Sequence, residues 1–150
     1  MKTANVYLTF NGNCEEAFNY YKSIFGGEFL MVERQKDLPT EFSVKPGDEN
    51  KIYHICLPIS KETCIQGADC TDFLSHREIV FGNNFSININ INSTTGEEEI
   101  TKIYNDFAKE SKVLMPLKKV FWGGLYGVVL DKFGVIWALT GGEDTEDCCK

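Results

Sequence analysis

The sequence has no excess of positive charge and no long apolar run, and these two absences exclude whole classes of function. Among its 150 residues, 15 are Lys or Arg and 22 are Asp or Glu, which gives a net charge of −7. Nucleic-acid binding draws most of its affinity from Lys and Arg on phosphates, so this chain lacks the main source of that affinity. The first residues lead directly into a strand pattern, without the apolar segment of a signal peptide or a membrane span. We therefore expect a cytoplasmic protein that binds neither nucleic acid nor membranes.

The sequence also lacks the short motifs that mark common catalytic and cofactor sites. It contains no Gly-x-Gly-x-x-Gly turn, no Gly-Lys-Ser/Thr phosphate loop and no Gly-x-Ser-x-Gly elbow. Dinucleotide, nucleotide and serine-hydrolase functions therefore lack their residues. Six cysteines are present, but their spacing matches no metal-binding knuckle and nothing indicates export, so we expect free thiols. They are Cys14, Cys56, Cys64, Cys70, Cys148 and Cys149, the last two within an acidic tail, residues 142–150, that is expected to be frayed.

What is present is the composition of a globular domain. Hydrophobic residues make up 43% of the chain and aromatic residues 13%, with 11 phenylalanines, which is enough for a single structural domain with a filled core. Residues 6–10 alternate as a half-buried strand does, and residues 14–25 have the apolar spacing of a helix that ends at Gly26. Strands are predicted over residues 29–33, 51–57 and 63–66, the last two as a hairpin, with a long loop over residues 36–50.

The same order of elements begins again after a polar linker. Phe85, Ile87, Ile89 and Ile91 alternate with Ser86, Asn88, Asn90 and Asn92, which predicts a strand with one apolar and one polar face. Thr95 and Glu98 have the spacing of a capping box before a helix whose apolar stripe is Ile100, Ile103, Tyr104 and Phe107. Strands follow over residues 113–117, 125–130 and 135–140. An internal duplication is indicated, with modules of about residues 1–67 and 84–141 and a linker of about residues 68–83.

Three phrases of the sequence resemble PhnB-like proteins of the glyoxalase/bleomycin-resistance/dioxygenase superfamily, also called the vicinal-oxygen-chelate superfamily. They are residues 7–17, residues 20–27, and Phe121-Trp122-Gly123 followed by an Asp-x-Phe-Gly-x-x-Trp phrase at residues 131–137. The resemblance spans nearly the whole chain. It implies an α+β fold in which two βαβββ modules form curved mixed sheets with a cup-shaped cavity. It also implies a homodimer that helps to close or share this cavity.

The resemblance further implies where a metal would bind. In metal-dependent members, one residue on the first strand and one on the last strand of each module hold a divalent cation. Carried over by strand position, these four sites fall close to Tyr7, Gln66, Ser86 and Ala138. Such a site needs about three or four His, Asp or Glu donors, so we expect no metal centre and no other cofactor. A metal shared by His54 and His76 would need a carboxylate as a further ligand. The alternative interpretations of His54 are a hydrogen-bonded core residue and a group that transfers protons or binds a ligand.

The polar row in the second half has a consequence for function. Ser86, Asn88 and Asn90 would each cost about 1 to 3 kcal/mol if they were buried without partners, so they must face water, a ligand or paired polar groups. The superfamily geometry turns this row into the cup, with Ile136 and Ala138 as its floor. Trp137 alternates with Val135 and Leu139, which predicts that it faces the helix. The residues predicted to contact a small organic ligand there are Tyr7, Thr9, His54, Gln66, Ser86, Asn88, Asn90, Trp122 and Tyr126.

Three functions are open at this stage, and the sequence does not decide whether the protein is an enzyme. The leading hypothesis is a metal-free protein that binds a small molecule in the cup. The alternatives are a divergent metalloenzyme of the glyoxalase or dioxygenase type, and a dimeric interaction module whose sheet face packs on its partner and holds no ligand. Methyl transfer, which the labels of some relatives suggest, is disfavoured because no glycine-rich cofactor turn follows the first strand.

Overall fold

A computed structural model describes residues 4–71 and 79–143 of the chain. It divides into two compact units, Met1–Val80 and Phe81–Lys150, each with one helix and one four-stranded sheet. The elements of the first unit are β1 (Val6–Phe10), α1 (Cys14–Phe25), β2 (Met31–Arg34), a short 3₁₀ turn (Gln35–Asp37), β3 (Ile52–Pro58) and β4 (Cys64–Asp69). Those of the second are β5 (Ile87–Ile91), α2 (Gly96–Ala108), β6 (Lys112–Lys119), β7 (Leu125–Leu130) and β8 (Ile136–Gly141).

Both units run strand, helix and then three strands, so the predicted α+β fold of two βαβββ modules is confirmed. The sheet orders are β1-β4-β3-β2 and β5-β8-β7-β6. In each sheet the first and last strands of the unit are parallel neighbours and the other pairs are antiparallel. The module boundaries that the sequence suggests stay a prediction.

In the first unit, α1 packs on one face of the sheet. Alternation along β1 turns Leu8 and Phe10 toward the helix, where Phe10 meets the Phe18 ring edge to face at a centroid distance of 6.2 Å. A Cβ on Gly67 would lie 2.6 Å from the Phe18 ring, so this glycine lets the helix approach the sheet closely. The helix ends at Gly26, whose φ of 77° few other residues adopt readily.

A buried carboxylate fixes the end of this sheet. Asp69, 2% exposed, accepts hydrogen bonds from the backbone N–H groups of Gly12 and Cys14 at 3.1 and 2.9 Å, and from that of Ile52 at 2.9 Å. It thereby ties the β1–α1 turn to the start of β3. The prediction of a strand over residues 63–66 was short, because β4 continues to this carboxylate at Asp69.

In the second unit, α2 packs on the face of the sheet that carries Trp137. That side chain is fully buried and lies against Phe107 of the helix at a centroid distance of 5.0 Å, so its predicted orientation is confirmed. Asp131, 4% exposed, accepts hydrogen bonds from the backbone N–H groups of Phe133 and Val135 and, at 2.9 Å, from the Trp137 indole Nε1. The turn closes at Gly134, which has a φ of 88°.

Several further sequence predictions about element ends need correction. β5 begins at Ile87 and not at residue 85, because the ladder with β8 begins at the Ile87–Trp137 pair. β2 lies one to two residues later than predicted, and β6 extends to Lys112–Lys119. The capping box is absent: Thr95 has a ψ of 1° instead of the extended value that such a cap needs, and its hydroxyl donates to Glu99 Oε1.

No helix within residues 4–71 and 79–143 is long and apolar enough to cross a membrane. The two helices have 12 and 13 residues.

Candidate functional site

Each sheet has a second face, opposite its helix, that carries polar and aromatic side chains; we call these the first and second open faces. On the first open face, one row crosses all four strands in register and consists of Tyr7, Gln66, Cys56 and Met31. Thr9 and His54 lie on the same face, since side chains two apart along a strand share a face. Four of the predicted ligand contacts, Tyr7, Thr9, His54 and Gln66, are therefore together on this surface.

Three of these side chains form one connected cluster. The Tyr7 and His54 rings are stacked with a centroid distance of 6.0 Å and an interplanar angle of 10°. His54 Nε2 lies 3.4 Å from Gln66 Oε1, and because an amide oxygen only accepts, His54 Nε2 carries the proton in this arrangement. Gln66 Nε2 in turn donates to Cys64 Sγ at 3.2 Å. His54 is half-buried, so it belongs to the open face and not to the core beneath α1.

Two titratable groups of the first open face, Tyr7 and Cys56, are biased toward their neutral forms. Partial burial raises the pKa of the Tyr7 phenol, and the Cys14 and Tyr53 side chains raise it further. Burial, followed by a hydrogen bond with Cys64, raises the pKa of the Cys56 thiol to about 11. At neutral pH this face therefore presents a protonated phenol and a protonated thiol.

The second open face combines amides with aromatic rings. One row across its four strands consists of Asn90, Thr140, Tyr126 and Lys118, and the next row begins with Asn88 and Ala138. The Asn88 and Asn90 side chains are exposed. In the loop between β6 and β7, Trp122 meets Tyr126 edge to face at 5.8 Å. The Phe121 side chain, 97% exposed, lies against Trp122 at 4.7 Å.

The chain is similar to known proteins over nearly its whole length. A sequence model of the 3-demethylubiquinone-9 3-methyltransferase family matches residues 2–140 of the chain. The chain belongs to this PhnB-like family. Among solved structures, protein PA1353 from Pseudomonas aeruginosa is similar with 30% identity and a TM-score of 0.72, over 95% of this chain and 98% of that chain. A putative 3-demethylubiquinone-9 3-methyltransferase, the PhnB protein from Bacillus cereus, is similar with 26% identity and a TM-score of 0.69, over 93% and 98%.

The fold extends beyond the PhnB-like family. The fosfomycin resistance protein FosX from Listeria monocytogenes has 12% identity and a TM-score of 0.62, over 97% of this chain and 98% of that chain, which shows the likeness of the fold alone. The predicted resemblance to PhnB-like proteins is confirmed by the family match over residues 2–140, and the fold that it implies is confirmed by these solved structures.

The residues of this PhnB-like chain do not fit the divalent cation of that superfamily. Of the four predicted positions, Tyr7 and Gln66 are register partners, whereas Ala138 pairs with Asn88 and Ser86 lies one residue before β5 begins. The donors at the four positions are then a phenol, two amides and no donor at Ala138, whereas such a site needs about three or four His, Asp or Glu ligands. Among the described residues no group of three or more His, Cys, Asp or Glu side chains could hold a metal ion. His76 lies outside the described residues.

The remaining predicted contacts divide between strand and loop. Asn88, Asn90 and Tyr126 lie on the second open face, while Trp122 lies in the loop beside Tyr126. Whether any of these residues contacts a ligand stays a prediction.

Sequence reasoning missed two cysteines of the first open face. Cys56 is two residues from His54, and Cys64 is two residues from Gln66, so the period of a strand places all four on one face. Cys14, Cys56, Cys64 and Cys70 are free thiols, whereas Cys148 and Cys149 lie outside the described residues.

Proposed function

We propose that this PhnB-like protein binds a small organic molecule on the open faces of its sheets, without the divalent cation that metal-dependent members of the superfamily use. The observation that carries the proposal is the stacked pair of Tyr7 and His54, which Gln66 holds by a hydrogen bond. A ring pair whose orientation is fixed by a hydrogen bond offers a flat apolar surface beside a polar group, and this is the usual composition of a small-molecule site.

The second open face supports the same kind of ligand. Asn90 and Tyr126 lie in one row across Thr140, and Trp122 extends the aromatic surface from the adjoining loop. Exposed amides supply both donors and acceptors, while the rings supply stacking area. A planar compound with several polar substituents is the ligand class that such residues would recognise.

We further propose that the protein is a cytoplasmic homodimer. The edge strands of both sheets carry exposed apolar side chains, which in monomeric proteins are usually few. On β2 and just before it these are Leu30, Met31 and Val32, with exposures of 72%, 43% and 40%; on β6 they are Val113, Leu114 and Met115, with exposures of 40%, 46% and 40%. The same observation favours a second candidate function, a dimeric interaction module that holds no ligand.

Two other activities receive less support. The family description names methyl transfer, but no glycine-rich cofactor turn follows β1, where residues 11–14 read Asn-Gly-Asn-Cys. A divergent glyoxalase-type or dioxygenase-type metalloenzyme would need the carboxylate and imidazole donors that the four strand positions do not supply.

Thermal unfolding of the full chain against a panel of planar polar aromatic compounds tests the proposal. A compound present at 100 times its Kd stabilises the protein by about 2.7 kcal/mol, and Tm should rise by roughly 5 to 11 °C. His54→Leu should abolish the rise for a ligand of the first open face and Asn88→Leu for a ligand of the second, whereas the matched control Asn105→Leu on α2 should retain it. If no compound raises Tm and the chain dimerises in light scattering, the interaction module is the correct function.

A further inference from the structure

The first open face brings two free thiols together. Cys56 of β3 is the register partner of Gln66, and Cys64 of β4 is the partner of Pro58, so the two cysteines are diagonal neighbours on the same face. Burial and then the Cys64 side chain raise the pKa of the Cys56 thiol, and Gln66 Nε2 donates to Cys64 Sγ at 3.2 Å. The register thus places two thiols side by side, and the Gln66 amide holds the sulfur of Cys64.

The register of the pair disfavours a disulfide. Diagonal neighbours of an antiparallel pair have Cα atoms about 7 to 8 Å apart. A disulfide needs Cα atoms within about 4.4 to 6.8 Å, so the bond between Cys56 and Cys64 would require the backbone to move. An ion between the two sulfur atoms has no such requirement, because two metal–thiolate bonds of about 2.3 Å span up to about 4.6 Å from sulfur to sulfur.

The number of donors decides which ion fits. Zn²⁺ in proteins takes four ligands, and within residues 4–71 and 79–143 no third His, Cys, Asp or Glu side chain joins the pair in a metal-binding group. Thiolates select soft cations, of which Cu(I) is stable with two thiolate ligands alone. We propose that Cys56 and Cys64 bind one Cu(I) ion as a two-coordinate bis-thiolate site. On binding, the two thiols release two protons and two Cu–S bonds form, and the Gln66 N–H group continues to donate to the Cys64 sulfur.

The surroundings allow entry at one side and keep other thiols away. The Cys64 side chain is half-buried, whereas Cys56 is 8% exposed, so the ion would reach Cys56 past Cys64. Cys14 is fully buried within α1. Cys70 lies six residues from Cys64, which corresponds to roughly 20 Å along a strand and is too far for a shared ion. The site shares Gln66 and the first open face with the proposed small-molecule site, but its two sulfur ligands are neither Tyr7 nor His54.

Competition with a chromogenic Cu(I) chelator under anaerobic conditions tests the proposal on the full chain. The adjacent Cys148 and Cys149 could bind the same ion, so the experiment uses Cys148→Ser/Cys149→Ser as its reference protein. The reference should retain one equivalent of Cu(I). Cys56→Ser or Cys64→Ser in this background should weaken binding by at least about 100-fold, because each removes one of only two ligands. Cys70→Ser should retain the equivalent, and Gln66→Leu should weaken binding by about 10-fold, as the loss of an outer hydrogen bond to a ligand does.

The opposite results would overturn the site. They are a reference protein that retains no Cu(I), a Cys56→Ser protein that binds as tightly as the reference, or Zn²⁺ that displaces Cu(I) at equal concentration. X-ray absorption of the loaded protein should report two sulfur neighbours, and four would contradict the two-coordinate geometry. Circular dichroism of each variant separates loss of the site from loss of the fold. Cys64→Ser, at the half-buried position, keeps the test valid if Cys56→Ser does not fold.

Discussion

Asp131→Asn should destabilise the protein although the two side chains have nearly the same shape. Asp131 Oδ1 accepts from the Phe133 and Val135 N–H groups at 2.8 and 2.9 Å, and Oδ2 accepts from the Trp137 indole. An asparagine can keep its oxygen on the backbone pair, but its NH₂ group then faces the indole N–H. One charge-assisted hydrogen bond, worth about 1.5 to 3 kcal/mol, is lost, and a buried donor remains unsatisfied. We expect a loss of about 3 kcal/mol in the free energy of unfolding.

Urea unfolding and calorimetry measure this loss, and Tm should fall by roughly 6 to 12 °C. The matched control is Asp106→Asn on α2, where the carboxylate pairs only with the exposed Lys102 and Lys109 and should contribute less than about 1 kcal/mol. Trp137→Phe removes the opposing indole donor, so the double variant should lose at least about 1 kcal/mol less than the sum of the single variants. An Asp131→Asn protein within about 0.5 kcal/mol of wild type would refute the reasoning.

Three further outcomes are expected. Gly67→Ala should destabilise the first unit by about 1 to 3 kcal/mol in urea unfolding, because the added Cβ would lie 2.6 Å from the Phe18 ring and 2.8 Å from a backbone oxygen. A neutral result would contradict the close approach of α1 to the sheet at this glycine. Hydrogen bonding to Arg34 lowers the pKa of Glu15, so the Glu15 pair should make wild type more stable than Arg34→Met by under about 1 kcal/mol above roughly pH 4.3. This contribution should be lost as pH falls through the lowered folded-state pKa of Glu15, whereas the bond from Arg34 to the Asn50 carbonyl does not titrate there. A pKa of about 11 should leave only about one Cys56 thiol in a thousand ionised at pH 8. Alkylation of Cys56, followed by mass spectrometry, should therefore be far slower than that of an ordinary thiol, and comparable rates would contradict its burial.

Local periodicity was sufficient to predict the bounds of an element wherever its ends are marked by residues of the element itself or directly beside it. The predicted strand over residues 6–10, the helix over 14–25 and the strand over 125–130 have the same bounds as β1, α1 and β7. The helix ends at Gly26, a residue that the sequence itself supplies as a stop signal. A pattern of alternation or of helical spacing therefore predicts such elements without knowledge of their partners.

The bounds that depend on a distant partner could not be predicted in this way. Alternation continues back to Phe85, but β5 begins only where Trp137 of β8 can pair with it, some 50 residues away. The extension of β4 to Asp69 follows from acceptor contacts with N–H groups that are 55 and 57 residues away in the chain. The polar faces were predictable because the alternation of side chains along a strand can be read from that strand alone. The placement of Cys56 beside Cys64, in contrast, depends on the register between β3 and β4.

The residues that carry the family resemblance have largely structural tasks, and this explains why they identify the fold and not the ligand. Asp131 and Trp137 of the last phrase bond to each other beneath α2, and Gly26 of the second phrase ends α1. Tyr7, Thr9 and Trp122 are predicted ligand contacts that the phrases do include. His54, Gln66 and Asn88 lie outside all three phrases, on the side of each sheet that no helix of its own unit covers. Substitution there need not disturb the packing between helix and sheet, because strand alternation separates the two faces. If the proposed function is correct, PhnB-like chains that share the phrases should differ in ligand through their open-face rows. A residue-by-residue comparison of these rows between chains of known ligand would test this.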